Sequence, residues 1–165
     1  MAGNTFYVID TSSLIDYNYY YPISNFESVW KKLDGLILEG RLGAPLQVLK
    51  ELECKDDEVT SWARKHPALF FEISQYQVEK VKEILDKFKG LIRAAYGLEQ
   101  ADPFVVALAC ERMYGPQKDL FQHEVCVVTQ EQMHGNRERI PLVCRHYGIM
   151  CMPIVDMIKN EGWKF

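Results

Sequence analysis

The stretch Thr5-Phe6-Tyr7-Val8-Ile9-Asp10-Thr11-Ser12-Ser13 decides the fold. Its first five residues are β-branched or aromatic and carry no charge, as in a strand buried on both faces. The next four are an acid and three hydroxyl residues. Thr11, Ser12 and Ser13 each offer an N-cap for a helix beginning near Leu14. A doubly buried strand that runs straight into a helix predicts a parallel sheet with helices covering both faces.

Outward from this stretch the alternation repeats. Apolar residues at 26, 29, 30, 33, 36 and 37 follow a period of about 3.6 residues and predict a helix over Phe26–Leu38, stopped at Gly40. Arg41–Ala44 reads as a short strand or turn. Pro45 stands where the first residue of the next helix would be, and Leu46, Leu49 and Leu52 give that helix one apolar face. Further helices are expected over 56–65, 75–88, 102–114, 141–147 and 153–159, and strands over 68–73, 125–128 and 149–152. The stretch 90–100 reads as a helix and a connection, and 130–140 as a polar loop. No repeat, low-complexity tract or Gly/Ser-rich linker interrupts the series. Residues 1–165 are therefore expected to form one α/β domain around a central parallel sheet, and the length suffices for a three-layer core.

Composition excludes several classes. With 48% apolar and 25% charged residues the chain is globular in type. Its longest apolar run, Phe104–Cys110, falls far short of the ~20 residues of a membrane helix. No basic segment followed by an apolar signal core opens it, so a cytoplasmic protein with no membrane association is expected. Cys54, Cys110, Cys126, Cys144 and Cys151 contain no C-x-x-C pair, which fits neither a disulfide framework nor a zinc knuckle. A net charge of −4 excludes a broad basic coat for nucleic acid. It leaves room for a nuclease whose carboxylates are neutralised by bound cations.

In parallel sheets, ligands bind beyond the carboxyl ends of the strands. Asp10 lies directly after the first strand and reads as an N-cap or as a site carboxylate; the hydroxyl residues beyond it could cap the helix without it. Asp102, before Pro103, is also a natural cap. The helix behind it is apolar nearly all round, so its first carboxylate would point into the interior or a cleft. Glu51 lies beside Leu52 on a short helix, and Glu131 follows the strand 125–128; alone, each is an ordinary surface acid. Together the four suit Mg2+ or Mn2+, which take oxygen ligands and keep several waters. The chemistry that such a cluster supports is metal-assisted phosphodiester hydrolysis.

The segments that carry these acids are Tyr7-Val8-Ile9-Asp10-Thr11-Ser12, Leu49-Lys50-Glu51-Leu52, Ala101-Asp102-Pro103-Phe104-Val105-Val106-Ala107-Leu108-Ala109 and Val127-Val128-Thr129-Gln130-Glu131. In their order and spacing they resemble the PIN-domain family over residues 5–160. Ile140-Pro141, Val143-Cys144 and Gly148 are similar to a pattern in one PIN-like branch. The resemblance implies an α/β/α sandwich and a Mg2+- or Mn2+-dependent endoribonuclease acting on RNA, often a toxin restrained by an antitoxin protein. A homodimer is implied as well. Carried over by position, Asp10, Glu51 and Asp102 would be core metal ligands, and Glu131 an outer or second-metal ligand. Ser12 and Thr129 would orient ligands or waters by hydrogen bonding. PIN toxins usually end the series with Asp; Glu131 stands there instead, and its longer side chain could still reach the metal or its waters.

Arg137 and Arg139, in the loop after Glu131, are the best phosphate-contact candidates against a plain solvated loop, and His134 is the one histidine placed to neighbour the site. Lys80, Lys82, Lys87 and Lys89, interleaved with acids, read as a salt-bridged helix exterior. Tyr17, Tyr19, Tyr20 and Tyr21 suit either base stacking or, preferably, a protein partner. Two other classes compete with a nuclease. One is a PIN-fold protein or RNA interaction module without catalysis. The other is a Rossmann-like small-ligand binder, which the lack of a Gly-rich loop after the first strand disfavours. An Asp-nucleophile phosphatase is disfavoured because Ser12 stands where its second Asp belongs.

Overall fold

The computed structural model describes residues 2–55, 57–92, 100–120 and 123–165. Strand β1 (Thr5–Ile9) is buried at every position, as its uncharged β-branched and aromatic run requires. It passes through Asp10 into α1 (Thr11–Tyr20). The remaining elements are α2 (Glu27–Leu38), β2 (Leu42–Pro45), α3 (Leu46–Glu53), α4 (Asp57–Arg64), β3 (Phe70–Phe71), α5 (Gln75–Lys87), α6 (Asp102–Tyr114), β4 (Glu124–Val128), α7 (Ile140–His146), β5 (Met150–Met152) and α8 (Ile154–Asn160).

The five strands form one all-parallel sheet in the order β3-β2-β1-β4-β5, and the helices make a three-layer α/β/α sandwich with it. From β1 the chain builds outward through β2 and β3, then crosses back to build β4 and β5 on the other side. The crossover direction therefore reverses between β1 and β4. At such a switch point the flanking loops part and leave a crevice at the carboxyl edge. Ile9 pairs with Val128 in the register, so Asp10 and Thr129 leave the sheet side by side.

The core follows from the apolar runs. In α6, residues Pro103 and Val105–Cys110 are all buried, which accounts for a helix without a polar face. The C-terminal helix is tied to the sheet by a polar network. Tyr7 Oη donates to Glu161 Oε1 (2.6 Å) and accepts from Asn160 Nδ2 (2.6 Å), and Arg41 Nη2 pairs with Glu161 Oε1 (2.6 Å).

Several boundaries differ from the sequence expectation, each for a local reason. Helix α1 begins at Thr11 rather than near Leu14, because Asp10 itself is the N-cap. Pro45 ends β2 in extended backbone instead of opening α3. The expected strand 68–73 shrinks to two residues, because Pro67–Leu69 takes a 3-10 turn. Gly40 stops α2 as expected, with φ +70°. Of the expected element at 90–100, residues 93–99 lie outside the described residues. Among the described residues no helix is long and apolar enough to cross a membrane.

Candidate functional site

Asp10 is 3% exposed and holds four contacts. Its Oδ1 accepts from Ser13 N (2.8 Å), which caps α1. Its Oδ2 accepts from Thr129 Oγ1 (2.5 Å), across the switch point from the end of β4. Ser12 Oγ lies 2.9 and 2.8 Å from the two carboxylate oxygens and shares its proton between them. Burial outweighs the opposing bonds from Thr129, Ser13 and Ser12, so the Asp10 carboxyl ends up raised to about 6.

The same hydroxyls organise the strand beyond. Ser12 Oγ accepts from Gln130 N (3.2 Å), and Thr129 Oγ1 accepts from Glu131 N (3.2 Å). Ser13 Oγ donates to Val128 O (3.0 Å). The N-terminus of α1 and the loop after β4 are thus one hydrogen-bonded unit, with Asp10 at its centre.

Glu51 reaches out of α3 to a different helix: its Oε1 accepts from Ala101 N (2.8 Å), the residue preceding α6. Helix N-termini leave their first N–H groups without internal partners, and a carboxylate is a strong acceptor for them. Glu51 is thereby fixed one residue from Asp102, the first residue of α6. Glu131 behaves alike: its Oε2 accepts from Ile140 N (3.0 Å), at the start of α7. Asp102 and Glu131 line one open cleft of about 500 Å³, together with Gly90, Arg137, Glu138 and Arg139. His134 is not part of its lining.

The four acids are therefore linked, though not converged. Asp102 and Glu131 share the cleft, Thr129 joins Asp10 to Glu131, and Ala101 joins Glu51 to Asp102. Among the described residues no group of three or more His, Cys, Asp or Glu side chains could hold a metal ion. Asp10, Glu51 and Glu131 are each occupied by N–H or O–H donors. The donor set still fits a hard cation of the Mg2+ type, which binds through one or two carboxylates and keeps water in its other positions. Two buried oxygens close to the acids in the sequence are consistent with that fit. Thr11 Oγ1 follows Asp10, Gln47 Oε1 lies one turn before Glu51, and neither has a hydrogen-bond partner among the described residues. Buried acceptors of this kind suit ordered or cation-bound water.

Sequence reasoning missed Gly90 and Glu138 in the cleft and the capping N–H groups of Ala101 and Ile140. The only available signal was an acid between two arginines, Arg137-Glu138-Arg139. The tyrosine cluster divides: Tyr17 is core, with its Oη donating to Val29 O (2.9 Å), while Tyr19 and Tyr20 are exposed at the far end of α1. Ten residues of helix put these two ~15 Å from the carboxyl edge.

Residues 7–165 match the family model described as Domain of unknown function (DUF4411). The chain belongs to that family. The matched DUF4411 region contains all four acids, the cleft and both arginines. Comparison with curated proteins finds no match.

Proposed function

We propose that this chain is a divalent-metal-dependent endoribonuclease that hydrolyses RNA phosphodiester bonds with Asp10, Glu51, Asp102 and Glu131. The observation that carries this reading is the linkage of Asp10 to Glu131 through Thr129 at the β1/β4 switch point, beside a cleft that Asp102 also lines. Ligand sites of parallel sheets form at such points.

Asp102 and Glu131 would hold a Mg2+ or Mn2+ ion, with Asp10 and Glu51 behind them. When bound, the cation supplies a water of lowered pKa and steadies charge on the phosphate and the leaving oxygen. Ser12, Ser13 and Thr129 keep Asp10 in a single rotamer. Ala101 N and Ile140 N do the same for Glu51 and Glu131, so the acids need no reorganisation when substrate arrives. Arg137 and Arg139, at the cleft, are suited to RNA phosphates. The PIN resemblance supplies the remainder of the proposal: a toxin acting in the cytoplasm, an antitoxin protein as partner, and a homodimer. The exposed Tyr19 and Tyr20 lie away from the cleft, which suits a protein partner better than base stacking.

One observation favours the alternative of a non-catalytic interaction module: protein donors already occupy Asp10, Glu51 and Glu131. The test is incubation of the purified chain with mixed-sequence single-stranded RNA in Mn2+. Cleavage that stops on adding EDTA supports the nuclease. Intact RNA, together with a melting temperature indifferent to Mn2+, supports the module.

A further inference from the structure

Glu138 stands between Arg137 and Arg139 in the chain, yet its carboxylate turns to neither. Its Oε2 accepts from the backbone Gly90 N at 2.6 Å, joining the loop after β4 to the 3-10 turn Lys89–Leu91 at the cleft. The approach is close: a Cβ at position 90 would lie 3.2 Å from Glu138 Oε2 and 3.3 Å from Glu138 Cβ, so a larger residue would crowd this side chain. Among the described residues the guanidinium groups of Arg137 and Arg139 have no hydrogen bond or ion pair. Among the described residues the cleft thus offers two uncommitted cations, and its backbone donor Gly90 N is filled by a carboxylate from the protein itself.

We propose that the Gly90 N–H is a third anion-contact point of this cleft, which receives a phosphodiester oxygen of single-stranded RNA, and that Glu138 occupies it until RNA displaces it. The identity of the anion rests on the nuclease reading above. A phosphate oxygen and a carboxylate oxygen are equivalent to an N–H donor: both are anionic acceptors. The bond is exposed to solvent, so exchanging one acceptor for the other costs little. Once displaced, Glu138 leaves the N–H to the substrate. While it remains, its charge opposes any phosphate approaching the two arginines. RNA affinity is therefore set by competition between this side chain and the substrate backbone.

The test is fluorescence anisotropy with a labelled single-stranded RNA, in EDTA at fixed low salt, so that binding is read without cleavage. Glu138→Gln keeps the shape and an oxygen for Gly90 N while removing the charge. It is expected to bind RNA about fourfold tighter, the factor that one like charge exerts through water at ~5 Å. Gly90→Ala in the Glu138→Gln background should cancel the gain, and an oligonucleotide of the same sequence with an uncharged methylphosphonate backbone should not distinguish Glu138→Gln from wild type. Arg139→Gln serves as the separate control for the RNA reading and should weaken binding. If Arg139→Gln weakens binding while Glu138→Gln leaves it unchanged or weaker, the proposal is overturned and the RNA reading stands. If neither wild type nor Glu138→Gln binds RNA, both are overturned.

Discussion

Replacing Asp10 by Asn should stabilise the metal-free protein at neutral pH. The Asp10 carboxyl is buried, and its folded-state value stands at about 6 against an ordinary 3.8. Between about pH 4 and 6 the folded chain keeps a proton that the unfolded chain has lost. The stability contributed by this group is therefore complete below about pH 4 and is lost as pH rises through about 6. At about 1.4 kcal/mol per pKa unit the loss comes to about 3 kcal/mol at pH 7.5. An amide removes the charge and keeps the oxygen that Ser13 N donates to. Its NH2 can donate to Ser12 Oγ or Thr129 Oγ1, but fits this donor-rich site less well, so about 2 kcal/mol should be recovered. For a domain of this size that corresponds to a rise of roughly 4–8 °C in melting temperature. The assay is thermal unfolding of wild type and Asp10→Asn in EDTA at pH 7.5 and pH 4. The difference should be clear at pH 7.5 and nearly absent at pH 4. A variant several degrees less stable than wild type at pH 7.5 would refute the reasoning. It would mean that the bonds from Ser12, Ser13 and Thr129 outweigh the cost of burying the charge.

Other perturbations separate the site from the scaffold. Mn2+ at 100 times its dissociation constant should add about 2.7 kcal/mol to the wild type, read as a higher melting temperature, and Asp102→Asn should lose most of that increment. Glu51→Ala removes the acceptor for Ala101 N and should cost about 1–2 kcal/mol in urea unfolding without metal; Glu51→Gln should cost less than half as much, because an oxygen remains for that N–H. Glu161→Ala removes the acceptor for Tyr7 Oη and one carboxylate partner of Arg41, which keeps Glu39 at 2.9 Å, and should cost about 2 kcal/mol by urea midpoint while leaving Mn2+ binding unchanged.

The layered parallel fold was legible because its signals are local. The uncharged run Thr5–Ile9 and the all-round apolar Phe104–Cys110 each permit one placement, and the helix periods are regular. Strand order was not legible: nothing local tells β4 to return beside β1, yet that return creates the switch point. The acids were chosen by position after strands and at a helix start, and the structure does link them. Which donors hold them was invisible, because Ala101 N and Ile140 N are backbone groups that meet Glu51 and Glu131 only through tertiary packing. Asp10 also shows that two readings of one residue can hold together. It caps α1 through Ser13 N and faces β4 through Thr129, so the cap and the site position are not alternatives. Glu138 was overlooked for a similar reason: an acid between two arginines suggests a local ion pair, whereas its partner is 48 residues away.

The most direct test of the central claim is cleavage of single-stranded RNA in Mn2+ by wild type and by Asp102→Asn, with the fold of the variant checked by its melting temperature in EDTA. A metal-dependent nuclease built on these acids predicts cleavage by wild type, its loss in EDTA, and its loss in a folded Asp102→Asn. Cleavage that persists in the folded variant would contradict the site. No cleavage by wild type across varied RNAs would contradict the activity.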